Sequence, residues 1–165
     1  MSETDMIYET KIKHSGLFDF KELYKFVHEW FASYQYVVAE KKYEEKIQPE
    51  GKDIEIEWVC FRKISDYFRF QIKIAYRIIG LVTVEVQKGN IKTKMNKAQL
   101  EISFKAFLEK DYENKWEVNP FTKFLRGVYD KYIIKSRIEE YEDKIATEVD
   151  EAVAQVKAFL ALEAK

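Results

Sequence analysis

The run DIEIEWVCFRKISDYFRFQIKIAYRI, residues 53 to 78, alternates apolar and polar residues in two stretches separated by Ile64, Ser65 and Asp66. Alternation with a period of two marks a strand that turns one face to a core and the other to water. Ile54, Ile56, Trp58 and Cys60 share one face of the first stretch, and Phe68, Phe70, Ile72, Ile74 and Tyr76 share one face of the second. Both sets are even-numbered, so paired residue numbers in an antiparallel hairpin must sum to an even value for the apolar faces to coincide. A three-residue connection at Ile64-Ser65-Asp66 sets Trp58 opposite Ile72 and Ile56 opposite Ile74. On the other face it sets Glu57 opposite Lys73 and Asp53 opposite Arg77, a charge complementarity that supports the same register.

The same period runs outward from about residue 36 to about residue 112, with breaks at Gln48-Pro49-Glu50-Gly51, Ile79-Gly80 and Gly89-Asn90, so a meander of hairpins is expected. Val82, Val84 and Val86 offer the next apolar row, which Thr93 and Met95 join after the Gly89 turn. Leu100, Ile102, Phe104, Ala106 and Leu108 continue it. The sheet thus gains one apolar face and one charged, wet face. Upstream, residues 6 to 13 read as a first strand ending in a turn at His14-Ser15-Gly16. A helix follows with a full start signal: Asp19 as cap, Glu22 three residues on, and Phe18 placed to pack on Leu23. Its polar residues Lys21, Glu22, Lys25, His28, Glu29 and Ala32 form a narrow stripe, so the remaining wide apolar face must touch more than one neighbour.

Downstream, Asn119-Pro120 opens a second helical pattern that continues to Leu162. About 45 residues of straight helix would span roughly 68 Å, against about 40 Å for a 12-residue strand, so this helix must overhang, bend or break. Phe121, Phe124, Leu125, Val128 and Tyr132 lie on one side. Ile134, Ile138, Tyr141, Ile145, Val149, Ala152, Val156 and Phe159 lie about a third of a turn away, the phase slipping near Lys135-Ser136-Arg137. One account has the first half on the sheet and the second on a partner or the other helix; a kink is the competing account. The expected organisation is one α+β domain over residues 1–134, with a long-stranded antiparallel sheet, an N-terminal helix and a long C-terminal helix on its apolar face. Residues 135–165 form a helical extension able to self-associate through 138–162.

Composition narrows the function classes. The 28 basic and 29 acidic residues nearly cancel, leaving no overall field for a nucleic acid, and none is expected as partner. The single Cys60 fits a reducing, cytoplasmic setting. The acidic stretch Met1–Met6 does not read as a secretory signal, and no apolar run has transmembrane length. With 12 Phe and 11 Tyr, either the core is bulky or some rings line a pocket.

The order of strand, helix, antiparallel meander and long C-terminal helix resembles the helix-grip folds of the START-domain and pollen-allergen type, over residues 6 to about 134. That resemblance implies a curved sheet wrapped around the C-terminal helix, often with an apolar ligand cavity between them. Two departures stand out: one helix follows the first strand where the family commonly has two, and the allergen branch's glycine-rich loop is absent. No functional residue is carried over.

Catalytic candidates are few, and no catalytic residue, metal ligand or cofactor is expected. His28 falls on the polar stripe of the first helix and His14 beside a turn; Cys60 faces the core, where a thiol is ordinarily inert packing. Glu55 and Glu57 lie about 7 Å apart on one strand face, a spacing a glycosidase could use, but basic residues opposite favour ion pairing. Arg69, Lys73 and Arg77 make a basic row that Asp53, Glu55, Glu57 and Glu85 interrupt. Phosphate loops, His-Glu metal helices and nucleophile elbows are absent from the sequence. The inward row Trp58, Phe70, Ile72, Tyr76 and Phe104 is therefore the expected ligand-binding wall, for an apolar small molecule bound without catalysis. Tyr76, facing inward, needs a hydrogen-bond partner or a ligand.

Overall fold

The computed structural model describes residues 3–65, 67–110, 120–128 and 135–163. Strand β1 (Glu3–Phe18) leads into helix α1 (Phe20–Ser33), followed by strands β2 (Val37–Gln48), β3 (Gly51–Lys63), β4 (Phe68–Lys88) and β5 (Ile91–Lys110), and by helices α2 (Pro120–Val128) and α3 (Lys135–Glu163). The strands form one antiparallel sheet in the order β1-β5-β4-β3-β2. Successive hairpins link β2 to β5. Because β1 returns to pair with β5, its connection to β2 must travel from one sheet edge to the other, and α1 makes that crossing over the apolar face. The start signal works as the sequence implies: the Glu22 N–H donates to Asp19 Oδ1 at 3.1 Å. The Phe20 N–H, a second donor with no partner inside the helix, reaches Asn96 Oδ1 on β5 at 2.9 Å.

The even-numbered rows of β3, β4 and β5 all face one core, from Ile54 to Cys60, Phe68 to Ile78 and Ala98 to Leu108. The register differs from the expected one by two residues. Trp58 pairs with Ile74, Ile56 with Tyr76 and Cys60 with Ile72, while Glu55 faces Arg77 and Val59 faces Lys73. Parity holds because the core demands it; a slip of two keeps every side chain on its face. Two expected turns are also replaced. β1 runs on through His14, Ser15 and Gly16, paired with β5 throughout. At Ile79-Gly80 the chain does not reverse: β4 continues for 21 residues, with register shifts against both neighbours and Gly80 at φ +69°. The bulge is locked from β3, where Asp53 Oδ1 accepts the Gly80 N–H at 3.0 Å. Beyond it, Val84 pairs with Met95 and Val86 with Thr93, as the pattern requires.

The long C-terminal pattern is described as two helices, and its phase slip coincides with the start of α3 at Lys135. Asn119, Tyr132, Ile134 and Asp66 lie outside the described residues. A long C-terminal helix does pack on the sheet, and it is the second half of the pattern that does so, against the account that set the first half there. α3 buries Ile145, Val149, Ala152, Val153, Val156 and Leu160 in the same core as the sheet, and Phe159 stacks on Phe26 of α1 at 5.0 Å between ring centroids. The apolar stripe from Ile138 to Leu160 is thus largely covered within the chain, while Leu162 stays exposed. α2, by contrast, leaves Phe121 and Phe124 68% and 66% exposed.

Polar clamps fix α3 over the sheet. Glu148 accepts from the Tyr36 hydroxyl at 2.7 Å and from Arg62 Nη2 at 2.7 Å, while Arg62 Nη1 donates to the Tyr34 carbonyl at 3.0 Å. The Arg62 guanidinium lies over the rings of Tyr36 and Phe70. A second clamp joins the Tyr8 hydroxyl on β1 to Asp150. Among the described residues, no helix is long and apolar enough to cross a membrane.

Candidate site on the inner wall

Trp58, Phe70, Ile72, Tyr76 and Phe104 all point into the core and are at most 2% exposed. The register arranges them in adjacent rows across the sheet: Phe104–Ile74–Trp58, then Ile102–Tyr76–Ile56 on one side and Ala106–Ile72–Cys60, Leu108–Phe70–Arg62 on the other. They are not one cluster in chemical terms. Phe70 lies under the Arg62 guanidinium and edge-on to Tyr141 of α3, and Phe104 packs near Phe31 of α1. Ile72 is plain core. Phe70 thus belongs to the clamp at Arg62, whereas Trp58 and Tyr76 share a second group of rings and polar atoms.

Trp58 is the hub of that group. Its ring meets the rings of Tyr24, Tyr76 and His28 edge-on, at centroid distances of 5.0, 5.0 and 5.7 Å. The indole N–H donates to Glu40 Oε1 at 3.1 Å, and the Tyr24 hydroxyl donates to the same oxygen at 2.7 Å. Glu40 can reach inward because β2 shifts register between Glu40 and Lys42, which keeps Glu40 opposite Trp58 on the apolar side of an edge strand. Burial, then the bond to Glu40, push the Tyr24 hydroxyl up to about 12. His28 keeps the exposed position its place on the polar stripe implies, while its ring covers the Trp58 edge.

Tyr76 sits one step deeper. Its hydroxyl is buried and, among the described residues, is the one buried side-chain polar atom without a hydrogen-bond partner. Burial first, then neighbouring Cys60 and Tyr24, hold it protonated well above the ordinary tyrosine range. It is therefore a hydrogen-bond donor with no acceptor, set in a wall of Trp58, Ile56 and Ile102. Cys60 behaves as packing: burial pushes its thiol up to about 12, so the nucleophilic thiolate is scarce at neutral pH.

The remaining candidates find partners elsewhere. His14 lies within β1, its Nε2 3.0 Å from the Leu17 carbonyl and its ring edge-on to Phe18. Glu55 is paired with Lys42 at 2.7 Å, which holds its carboxyl below the usual range. Arg69 is bound to Glu109, and Lys73 lies over the Phe107 ring. Hollows of about 390 and 240 Å³ open on this charged face around Arg77 and Glu101. The smaller lies between long side chains beside the small Ala75 and Ser103, and the larger is bordered by Lys13, His14 and Gln99. Among the described residues, no group of three or more His, Cys, Asp or Glu is placed to hold a metal ion.

Glu40, Tyr24 and His28 are the members the sequence did not reveal. Glu40 lies on a strand where charges crowd both faces, and Tyr24 reads as one ring among several on a wide apolar helix face.

No protein-family model, no curated protein and no solved structure matches the chain. The five-stranded antiparallel sheet with a long C-terminal helix on it is compatible with a helix-grip arrangement, and the functional reading rests on the chain's own residues.

Proposed function

We propose that this domain binds an apolar small molecule without catalysing its conversion, holding it against the inner wall beside Trp58 with one acceptor group on the Tyr76 hydroxyl. The observation that carries this reading is the orphaned hydroxyl. Interiors rarely keep a buried donor unpaired, because the lost hydrogen bonds to water are not replaced. A carbonyl, ester or carboxyl oxygen at the end of an apolar body supplies what Tyr76 lacks, and Ile56, Ile102 and Trp58 supply the surroundings such a body prefers. Trp58, Phe70, Ile72, Tyr76 and Phe104 remain the wall; Tyr24, His28 and Glu40 form its rim between α1 and β2. Because the wall is packed, binding requires α1 to move away from the sheet at that rim. A cytoplasmic setting suits the lone, unoxidised Cys60. Self-association through 138–162 has less support, since that stripe is already largely covered by the sheet and α1.

Non-denaturing mass spectrometry of the full chain purified from cells tests the reading. The expected spectrum is a monomer carrying one extra apolar molecule, which organic extraction removes. A bare chain that also shows no saturable binding of any member of a panel of lipids and lipophilic dyes would sink it.

A further inference from the structure

The most conspicuous feature the inner wall leaves unused is α2. Its nine residues place Phe121, Phe124, Leu125 and Val128 at i, i+3, i+4 and i+7, one continuous apolar strip about 100° wide. An amphipathic helix of a compact domain ordinarily turns such a strip inward, as α1 and α3 do here. α2 turns Phe121 and Phe124 to solvent, with Leu125 also exposed. The helical period sets positions 123 and 126, Lys and Arg, on the opposite side, and the helix contains no acidic residue.

Charge identifies the occupant. From Pro120 to Arg137 the sequence has Lys123, Arg126, Lys131, Lys135 and Arg137 against Asp130 alone, five positive charges less one negative, or +4. The whole chain is −1, so the remainder carries −5. Positive charge is thus concentrated in the stretch of sequence that contains α2, the helix whose aromatic residues are, among the described residues, exposed. An apolar strip within a basic segment is the pattern that lies in the headgroup region of an anionic bilayer, rings among the acyl chains and cations among the phosphates. We infer that α2 docks the domain on the surface of a membrane containing anionic lipid. The helix lies in the interface and does not span it. The inference stands on α2 and the charge of the sequence around it, and is independent of whether Tyr76 receives a ligand.

The test is co-sedimentation of the full chain with vesicles of phosphatidylglycerol mixed into phosphatidylcholine, and with phosphatidylcholine vesicles alone. The chain is expected to sediment with the first, weakly with the second, and to be released by salt. Phe121→Asp with Phe124→Asp should lower partitioning by about a hundredfold, because two rings no longer enter the acyl region. Lys123→Ala should lower it by about fivefold on anionic vesicles and leave the neutral ones unchanged. The far-UV spectrum and melting temperature of both variants should match the parent chain, since these side chains face solvent. Absence of sedimentation with anionic vesicles overturns the inference, as does equal sedimentation of the double Phe variant. If the parent chain is instead a dimer that the double Phe variant breaks, with no vesicle binding, a second copy covers the strip and the inference is likewise wrong.

Discussion

Replacing Tyr76 by Phe removes one oxygen and nothing else, and the sign of its effect depends on whether that oxygen has a partner. A hydroxyl buried without a partner costs about 1–3 kcal/mol relative to its hydrated state in the unfolded chain. Deleting it also forfeits the oxygen's own dispersion contacts, about 0.1–0.2 kcal/mol apiece. Ligand-free Tyr76→Phe should therefore be more stable than the parent by about 1–2 kcal/mol, which for a chain of this size raises Tm by about 2–8 °C. In the ligand-loaded protein the sign reverses. The variant loses a hydrogen bond worth about 0.5–1.5 kcal/mol and has no orphaned hydroxyl for the ligand to relieve, so its affinity falls by the sum of the two effects, about 1.5–3.5 kcal/mol, or roughly ten- to several hundredfold. The assay is urea denaturation of both proteins before and after organic extraction, with the slope checked so that a midpoint shift reads as stability. If extracted Tyr76→Phe is less stable than extracted parent by about 1 kcal/mol or more, the hydroxyl is bonded in the empty protein and the argument for a ligand at this atom is refuted.

Three further outcomes follow from the packing. Arg62→Ala leaves Glu148, whose side chain is 14% exposed, with only the Tyr36 hydroxyl among the described residues; breaking a fully buried pair costs about 3–5 kcal/mol, so allowing for partial solvation the expected loss is about 2 kcal/mol. Hydrogen exchange of α3 amides should quicken with it, whereas unchanged exchange would show the clamp to be dispensable. Gly51→Ala should destabilise by about 2 kcal/mol or more: Gly51 has φ +136°, and an added Cβ would meet the Leu81 carbonyl oxygen at 2.7 Å and the Gly80 carbonyl carbon at 2.8 Å, so a melting curve within a degree of the parent's would contradict this close approach. Alkali should unfold the chain from about pH 10 upward. Tyr24, raised to about 12, and the more deeply buried Tyr36 and Tyr76, also raised, ionise earlier when unfolded than when folded; that stabilisation is complete below pH 10 and is lost as pH climbs through the folded values. Phenolate absorbance and the far-UV spectrum should change together, and phenolate absorbance that rises fully while the fold persists would refute the assignment of these rings to the interior.

The alternation of residues 53–78 sufficed for the strands, their antiparallel pairing and the inward row, because burial on one face enforces parity at every position. It did not suffice for the register. On the wet face, carboxylates at 53, 55 and 57 confront cations at 69, 73 and 77, so sliding by two exchanges the pair Glu57–Lys73 for Glu55–Arg77 and charge complementarity survives. Ile79-Gly80 is ambiguous in sequence for a related reason: a glycine at positive φ serves a tight turn or a bulge equally, and the deciding fact, the Asp53 carboxylate on its N–H, is long-range. The stripe of α3 correctly named the residues that needed cover, but a helical period records that a face is covered and not by what. That Tyr76 faces inward was legible; that its hydroxyl finds no partner depends on every neighbour at once.

The two helices on the inner face are fastened unequally, and this bears on how a molecule could reach the wall. α3 is held by six buried aliphatic or alanine side chains and by the clamps at Glu148 and Asp150, anchored on β3, β1 and the chain entering β2. Next to Trp58, α1 is held across the rim chiefly by edge contacts of Tyr24 and His28 and by one carboxylate, Glu40, that is itself exposed. Solvent competes for that carboxylate, so the one hydrogen bond it accepts from α1, that of Tyr24, resists opening less than the enclosed pair at Glu148 does. On the proposed reading the rim at Tyr24 is the entry. Tyr24→Phe should then speed uptake and release of a lipophilic dye by a similar factor while changing its equilibrium affinity little, because the residue guards the path and does not line the seat. Stopped-flow fluorescence separates the two quantities. If affinity falls while the rates of entry stay fixed, Tyr24 belongs to the seat itself and the path lies elsewhere.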